Sequence, residues 1–235
     1  MKIECFAIDV DGTITENGGR IDLQAVHALR WLEMMGFKIV LDSGRSVWEV
    51  YSLAMFLGTT RTVVAENGGV VAFSPNDLLL LSDRAICMEA YEILAKEIKQ
   101  IRLRHVFPRL TEVVVERNFN VEEARRIVKD RKLKVTISDS LYGYHICFEN
   151  VNKASGFERV LRRLEINWDE TVAIGDSETD VPLFDKSGYS VALGNSPPSV
   201  KDKAKYSVRR KMGNGLVDAV SHIGERFLAE FTSME

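Results

Sequence analysis

The chain has 235 residues, 46% of them hydrophobic and 28% charged, with 31 Lys and Arg against 34 Asp and Glu for a formal charge of −3. That length suits one large domain or two smaller ones and buries roughly 70% of its extended surface, so no disulfide or structural metal is needed to hold a core. The near-balanced charge gives no global argument for nucleic-acid binding, and no apolar run approaches the roughly 18 residues that cross a bilayer.

The first apolar run, 3-IECFAIDV-10, carries β-branched residues and ends in Asp-Gly, the pattern of a strand followed by a turn. A helix is then signalled by Asp22 as its cap, by Leu23, Val26, Leu29, Leu32 and Met35 on or near one face, and by Gly36 as its stop. Residues 37-FKIVLD-42 read as a strand, 47-VWEVYSLAMFLG-58 as a helix and 62-TVVAE-66 as a third strand. This β-α-β-α-β order predicts parallel strands joined by crossover helices. Ligands of such sheets bind beyond the carboxyl ends of the strands. Asp9, Asp11, Ser43 and Asn67 all fall there.

Near residue 80 the pattern changes. It reads as a helix over 84–100, strands over 102–107 and 112–116, a helix over 120–131 and strands over 133–138 and 143–149. Asn120 and Glu123 suit a capping box. Helix-strand-strand repeated twice predicts a small antiparallel sheet with helices on one face, an inserted α+β domain spanning 82–151. Alternation then resumes with a helix over 155–165, strands over 171–175 and 189–194 around a short helix at 178–186, and a last helix from about Leu216 to Leu228. The expected fold class is therefore α/β, a Rossmann-like parallel-sheet domain made of 1–81 and 152–235 and interrupted by the insert.

Two acidic clusters follow buried strands. In 9-DVDGT-13, Asp9 and Asp11 repel each other unless a cation intervenes, and Mg²⁺ prefers such oxygen ligands. Gly12 permits a sharp turn whose N–H groups can hold phosphate oxygens. In 174-IGDSETD-180, Asp176, Glu178 and Asp180 open a helix, where acids serve either as metal ligands or simply as caps. Ser43, in 41-LDSGR-45, can donate to a phosphate oxygen or cap a helix. Lys153, in 152-NKASG-156 just before a helix, can neutralise a transferring phosphoryl group or lie in solvent. The chain has no GxxxxGK[ST], no strand-anchored GxGxxG and no GxSxG. His27, His105, His145 and His222 form no zinc-type pair. Cys5, Cys87 and Cys147 are far apart and suit buried thiols in a reducing compartment. The apolar N-terminal stretch meets Asp9 and Asp11 by residue eleven, which argues against a signal peptide and for the cytoplasm. The basic stretch 201-KDKAKYSVRRK-211 is expected to solvate an edge.

In this order, DVDGT, LDSGR, Lys153 and GDSETD resemble the haloacid dehalogenase (HAD) superfamily, and the insert resembles its type C2 cap (αββ-αββ). The segments 65-AENGG-69 and 194-GNSPPSVKDKA-204 are similar to archaeal phosphoglycolate phosphatases and related sugar phosphatases. The resemblance implies roles. Asp9 matches the nucleophile, Asp11 the general acid, and Thr13 the support of Asp11 and its loop. Ser43 matches the phosphate-binding hydroxyl, Lys153 the cation that holds phosphate and Asp9 together, and Asn195 a residue near the phosphate end. With Gly44 and Asn67 these make the implied substrate-binding set. The Mg²⁺ ligands would be Asp176, Asp9, the backbone carbonyl of Asp11, and Asp180 directly or through water. Thr179 stands where many relatives of this cap type carry asparagine, a departure in the outer metal shell. The implied reaction is Mg²⁺-dependent hydrolysis of 2-phosphoglycolate, with a sugar-phosphate phosphatase, a phosphomutase and a non-catalytic phosphometabolite-binding protein as alternatives. The implied partner is a small phosphomonoester, with no nucleic acid and no membrane, and a homodimer is left open. Arg102, Arg104, His105, Arg109 and His145 of the insert are candidates to meet a substrate carboxylate, or else form a solvated basic face.

Overall fold

The computed structural model describes residues 1–140 and 142–228. The first third alternates as expected: β1 (Cys5–Ile8), α1 (Leu23–Met34), β2 (Lys38–Asp42), α2 (Val47–Leu57), β3 (Val63–Ala65), then a hairpin of β4 (Val70–Ser74) and β5 (Asp77–Leu80). The insert supplies α3 (Arg84–Glu97), β6 (Val113–Val115), α4 (Val121–Asp130), β7 (Val135–Asp139) and β8 (Tyr144–Phe148). The chain ends with α5 (Lys153–Leu164), β9 (Thr171–Gly175), α6 (Val181–Lys186), β10 (Tyr189–Ala192), α7 (Pro198–Lys201), β11 (Tyr206–Ser207) and α8 (Met212–Phe227).

Eight strands form one sheet in the order β11-β10-β9-β1-β2-β3-β4-β5. It is parallel from β11 to β3 and antiparallel at β4 and β5. The central strand, β1, pairs Cys5 with Lys38 of β2 and with Thr171 of β9. Helices cover both faces, so β1 is buried at every residue and has no polar face to show. Alternation sends Phe6 and Ile8 into one core with Leu29, Val50 and Val220, and sends Cys5 and Ala7 into another with Phe157, Leu161 and Phe184.

Capping fixes the helix starts. Asp22 accepts from the N–H groups of Gln24 and Ala25, Ser46 and Glu49 form a capping box on α2, and Asn152 and Ser155 form one on α5. The insert builds its own antiparallel sheet, β6-β8-β7, and its own core around Leu94, Val113, Ile137 and Ile146. Tyr144 and Ile146 face its helices, which turns His145 to the opposite face.

The structure corrects the sequence reading in several places. The β4–β5 hairpin was not expected; Ser74 pairs with Asp77, leaving Pro75 and Asn76 as a two-residue loop. The strand expected at 102–107 is reduced to a bridge between Leu103 and Val115 with two flanking backbone bonds, because the chain from His105 to Pro108 turns to line a cavity. Lys153 is the first residue of α5, and α8 begins at Met212. The basic stretch is not merely solvated. Lys201 Nζ donates to Gly194 O, Lys205 Nζ to Ser187 O and Gly188 O, and Arg210 pairs with Asp218, so these cations fasten loops. The three cysteines are buried and free. No helix among the described residues is long and apolar enough to cross a membrane.

Candidate active site

The carboxyl ends of β1, β2, β3 and β9 meet at one cavity of about 740 Å³. Asp9 donates its N–H to Ile174 O at 3.0 Å, which draws the end of β1 against β9. The chain then turns at Gly12, whose φ is +84° and whose added Cβ would lie 2.5 Å from Asp176 Oδ2. Only glycine fits there. Thr13 Oγ1 donates to Asp176 Oδ1 at 3.1 Å. Thr13 thus holds Asp176, rather than Asp11 as expected.

Lys153 carries the centre. Its Nζ lies 2.5 Å from Asp9 Oδ1 and 2.6 Å from Asp180 Oδ1, and its side chain is 1% exposed. The other Asp180 oxygen accepts from the N–H groups of Asp176 and Ser177 and from Ser177 Oγ. Asp180 therefore caps a helical turn, one of the two roles the sequence left open, and also sits in the acidic cluster. Asp9, Asp176 and Asp180 are buried, and each offers an oxygen within 4.8 Å of the others.

Burial pushes the Asp9 carboxyl well above its ordinary pKa; Lys153 opposes this, and Asp180 and Asp176 add to it. Burial, then Asp180, pushes Asp176 up to about 7. Burial also opposes the Lys153 charge, but Asp180, Asp9 and Asp42 outweigh it and hold the ammonium above its usual value. Asp42, at the end of β2, is fully buried, and neither of its oxygens has a hydrogen-bond partner. Burial raises its pKa strongly as well. Sequence reading passed over it, although an acid closing an apolar strand was the visible signal.

Ser43 is buried beside the cluster. Its carbonyl accepts from Asn67 N–H, and its Oγ accepts from Arg45 N–H at 3.2 Å. A Cβ on Gly44 would come within 3.0 Å of Asn67 Oδ1, so the two residues pack tightly. Asn195, expected near a phosphate, lines the cavity and donates to Asp176 Oδ2 at 2.7 Å and to Gly12 O at 3.0 Å. Its carbonyl oxygen accepts from Met212 N–H, tying α8 to the acid cluster. Thr179 lines the cavity and bonds Ser177 Oγ at 2.8 Å.

Asp11 stands apart from the cluster. Both its oxygens are held by Arg45, from Nε and Nη2, at 2.7 Å each. The pair lines the cavity and is partly exposed, Asp11 at 43% and Arg45 at 36%. Arg45 Nη1 reaches Glu49 Oε1 at 3.0 Å.

The insert supplies the opposite wall. Glu112 is buried and accepts from Arg109 Nη1 at 2.8 Å and from Asn67 Nδ2 at 3.0 Å, with His145 Nδ1 2.9 Å away. Burial disfavours its charge, but His145, Arg109 and Asn67 outweigh that and lower its pKa. His145 Nε2 lies 2.9 Å from Ser140 Oγ. Of the five cationic candidates, His105, Arg109 and His145 line the cavity. Arg102 donates to Lys99 O and Ile101 O, while Arg104 pairs with Glu116 and lies over the Tyr142 ring. A solvated basic face is excluded for Arg109 and His145, which are buried against Glu112. Glu66, also missed, is fully buried and accepts from Leu110 N–H, Thr111 N–H and Thr111 Oγ1, fastening the insert to the large sheet.

Comparison with known proteins agrees with this geometry. A family model described as haloacid dehalogenase-like hydrolase matches residues 6–140 and 114–220. The chain is 42% identical over 224 residues to a phosphoglycolate phosphatase of Nitrosopumilus maritimus, covering 95% of this chain and 97% of that one. It is 34% identical over 223 residues to a phosphoglycolate phosphatase of Methanothrix thermoacetophila, covering 94% and 97%. A crystal structure from Thermoplasma acidophilum superposes with a TM-score of 0.85 at 23% identity, covering 94% of this chain and 98% of that one. A Bacteroides thetaiotaomicron phosphatase of the haloalkanoate superfamily gives a TM-score of 0.80 at 20% identity, covering 95% and 96%. The likeness thus takes in the Rossmann-like sheet and the cap together, and the chain belongs to the haloacid dehalogenase-like hydrolase family.

Proposed function

We propose that this hydrolase converts 2-phosphoglycolate to glycolate and phosphate through an aspartyl phosphate on Asp9, with Mg²⁺ as its cofactor. One observation carries the chemistry: a buried ammonium, Lys153, holds Asp9 beside two further acids at the floor of a cavity. The curated relatives named phosphoglycolate phosphatase support the substrate.

The acid cluster fits Mg²⁺. Its donors are all oxygen, and burial first, then the neighbouring acids, push the Asp9 and Asp176 carboxyls up, a cost of charge that a divalent cation relieves. Asp9, Asp176 and the Asp11 carbonyl would hold the ion. Asp180, already engaged by Lys153 and three further donors, stands behind them. When bound, the ion withdraws charge from the phosphoryl oxygens.

The residues then divide the work. Ser43 Oγ, with Gly44 beside it, and Lys153 Nζ orient the phosphoryl group. An Asp9 oxygen attacks phosphorus in line as the ester P–O bond breaks. Asp11 gives its proton to the departing alkoxide. Water then attacks the aspartyl phosphate, leaving a proton on Asp11 and releasing phosphate. Asn67 and Asn195 hold the surrounding walls in place. Residues 82–151 act as a cap domain over the domain formed by 1–81 and 152–235, and keep bulk water out of the cavity. The enzyme works in the cytoplasm on a free small molecule, without nucleic acid or membrane.

Phosphate release from 2-phosphoglycolate and from a panel of sugar phosphates, with and without Mg²⁺, tests the reading. Wild type should release phosphate in a Mg²⁺-dependent manner and favour 2-phosphoglycolate, and Asp9→Asn should release none. Mg²⁺-dependent turnover by Asp9→Asn would sink the covalent route, and equal turnover of sugar phosphates would sink the substrate.

A further inference from the structure

The partial exposure of the Asp11–Arg45 pair gives Arg45 a role that the acid cluster does not need. A guanidinium presenting Nε and Nη2 is a fork matched to the two oxygens of a carboxylate. Arg45 already uses that fork on Asp11, at 2.7 Å to each oxygen and inside the cavity. We infer that Arg45 is the receptor for the substrate's carboxylate, which takes the fork in exchange for Asp11. The inference rests on the carboxylate-bearing substrate proposed above.

Three observations carry it. The first is position. In 2-phosphoglycolate a single CH₂ separates the carboxylate from the ester oxygen. Asp11 must reach that oxygen to protonate it, so the substrate carboxylate arrives within a few ångströms of where Asp11 and its arginine stand. A carboxylate replacing a carboxylate on one fork satisfies both geometries.

The second is anchorage. Arg45 Nη1 is held by Glu49 Oε1 at 3.0 Å, and Glu49 is itself fixed by Ser46 through N–H and Oγ in the capping box of α2. The guanidinium therefore keeps its place when Asp11 leaves. The Asp11 side is the weak one, because a partly exposed ion pair is screened by solvent and exchanges readily.

The third is that Lys153, Arg109 and His145 at the cavity are already engaged, while the exposed His105 can offer single N–H donors but no fork. Lys153 bridges Asp9 and Asp180. Arg109 Nη1 serves Glu112 Oε1 and Gly44 O, and its side chain is 5% exposed. His145 is enclosed between Glu112 and Ser140. A phosphomonoester whose leaving group carries no carboxylate would have to separate Asp11 from Arg45 with no second carboxylate to offer in return. Discrimination follows from the exchange itself.

The test compares kcat/KM for 2-phosphoglycolate with kcat/KM for ethyl phosphate, which keeps the ester and the carbon skeleton and lacks the carboxylate. Both substrates need Asp11, so its own contribution cancels in the ratio. In Arg45→Met the ratio should fall about 10- to 100-fold, the loss of a bidentate charge-assisted contact. Arg45→Lys, which keeps the charge without the fork, should fall between Arg45→Met and wild type, and guards against a folding defect. A wild-type ratio near one overturns both the substrate and this inference. A high wild-type ratio that stays within about threefold in Arg45→Met, the effect of a dispensable surface pair, overturns the inference alone. So does a ratio that collapses in Arg109→Met but not in Arg45→Met, since the cap would then read the carboxylate.

Discussion

Replacing Lys153 by Met removes the ammonium that Asp9 and Asp180 share and keeps most of the side-chain volume. Both contacts are buried, at 2.5 and 2.6 Å, and a third acid, Asp42, lies nearby with no hydrogen bond of its own. Breaking a buried ion pair by removing one partner costs about 3–5 kcal/mol, because the remaining charge is left uncompensated. With two acids orphaned at once, the upper end applies, about 5 kcal/mol at pH 8. For a chain of this size that lowers Tm by about 10–20 °C. The pH dependence has a definite sign. The raised pKa of Lys153 keeps its contribution intact from pH 5 to pH 8, since it is lost only above the ordinary lysine value of 10.5. The Asp9 carboxyl is raised above its ordinary 3.8, so its charge costs stability increasingly as pH climbs, and losing Lys153 raises it further. The penalty of Lys153→Met should therefore be large at pH 8 and shrink towards pH 5, where the orphaned acids take up protons. Guanidinium unfolding of chelator-treated wild type and variant at both pH values measures it. A penalty under about 1 kcal/mol at pH 8, or one that is equal at pH 5, would refute the electrostatic account.

Two further outcomes are expected. Mg²⁺ affinity should weaken about tenfold from pH 8 to pH 6, because Asp176, pushed up to about 7, must shed a proton to take the ion; titration calorimetry giving equal affinities would remove Asp176 from the ligand set. Glu66→Gln places an amide donor against Leu110 N–H, Thr111 N–H and Thr111 Oγ1. Stability should drop by about 1–3 kcal/mol, and a melting curve that overlays the wild type would show that Leu110 and Thr111 are held by other contacts.

What the sequence made legible follows from chain locality. Asp9, Ser43 and Asp176 each end an apolar run, so a strand and its functional tip could be read from adjacent residues. The β4–β5 hairpin carried a similar local signal in the apolar runs around Pro75 and Asn76. The fate of 102–107 was harder, since Arg102, Leu103 and Arg104 alternate like a strand and only the cavity draws the following residues away. Glu112 and Glu66 were beyond reach. An acid beside 113-VVV-115 looks like an exposed strand end, and only folding supplies Asn67, Arg109 and His145 around it. Asp11 shows the same limit: its carboxylate was read with Asp9, yet Arg45 holds it away from the cluster.

The insertion of the cap between Ser43 and Lys153 also sets a timetable for biosynthesis. Lys153 lies 144 residues beyond the acid it holds. At a ribosomal rate of about 5–20 residues per second, that interval lasts about 7–30 s. Throughout it Asp9, joined by Asp42 once β2 is made, lacks its ammonium, and β1 lacks its neighbour β9. The cap, whose strands end by Phe148, is translated in full before the first residue of α5. Asp9 therefore meets its ammonium only after the insert has been made, and no unfinished chain short of Lys153 can form that contact.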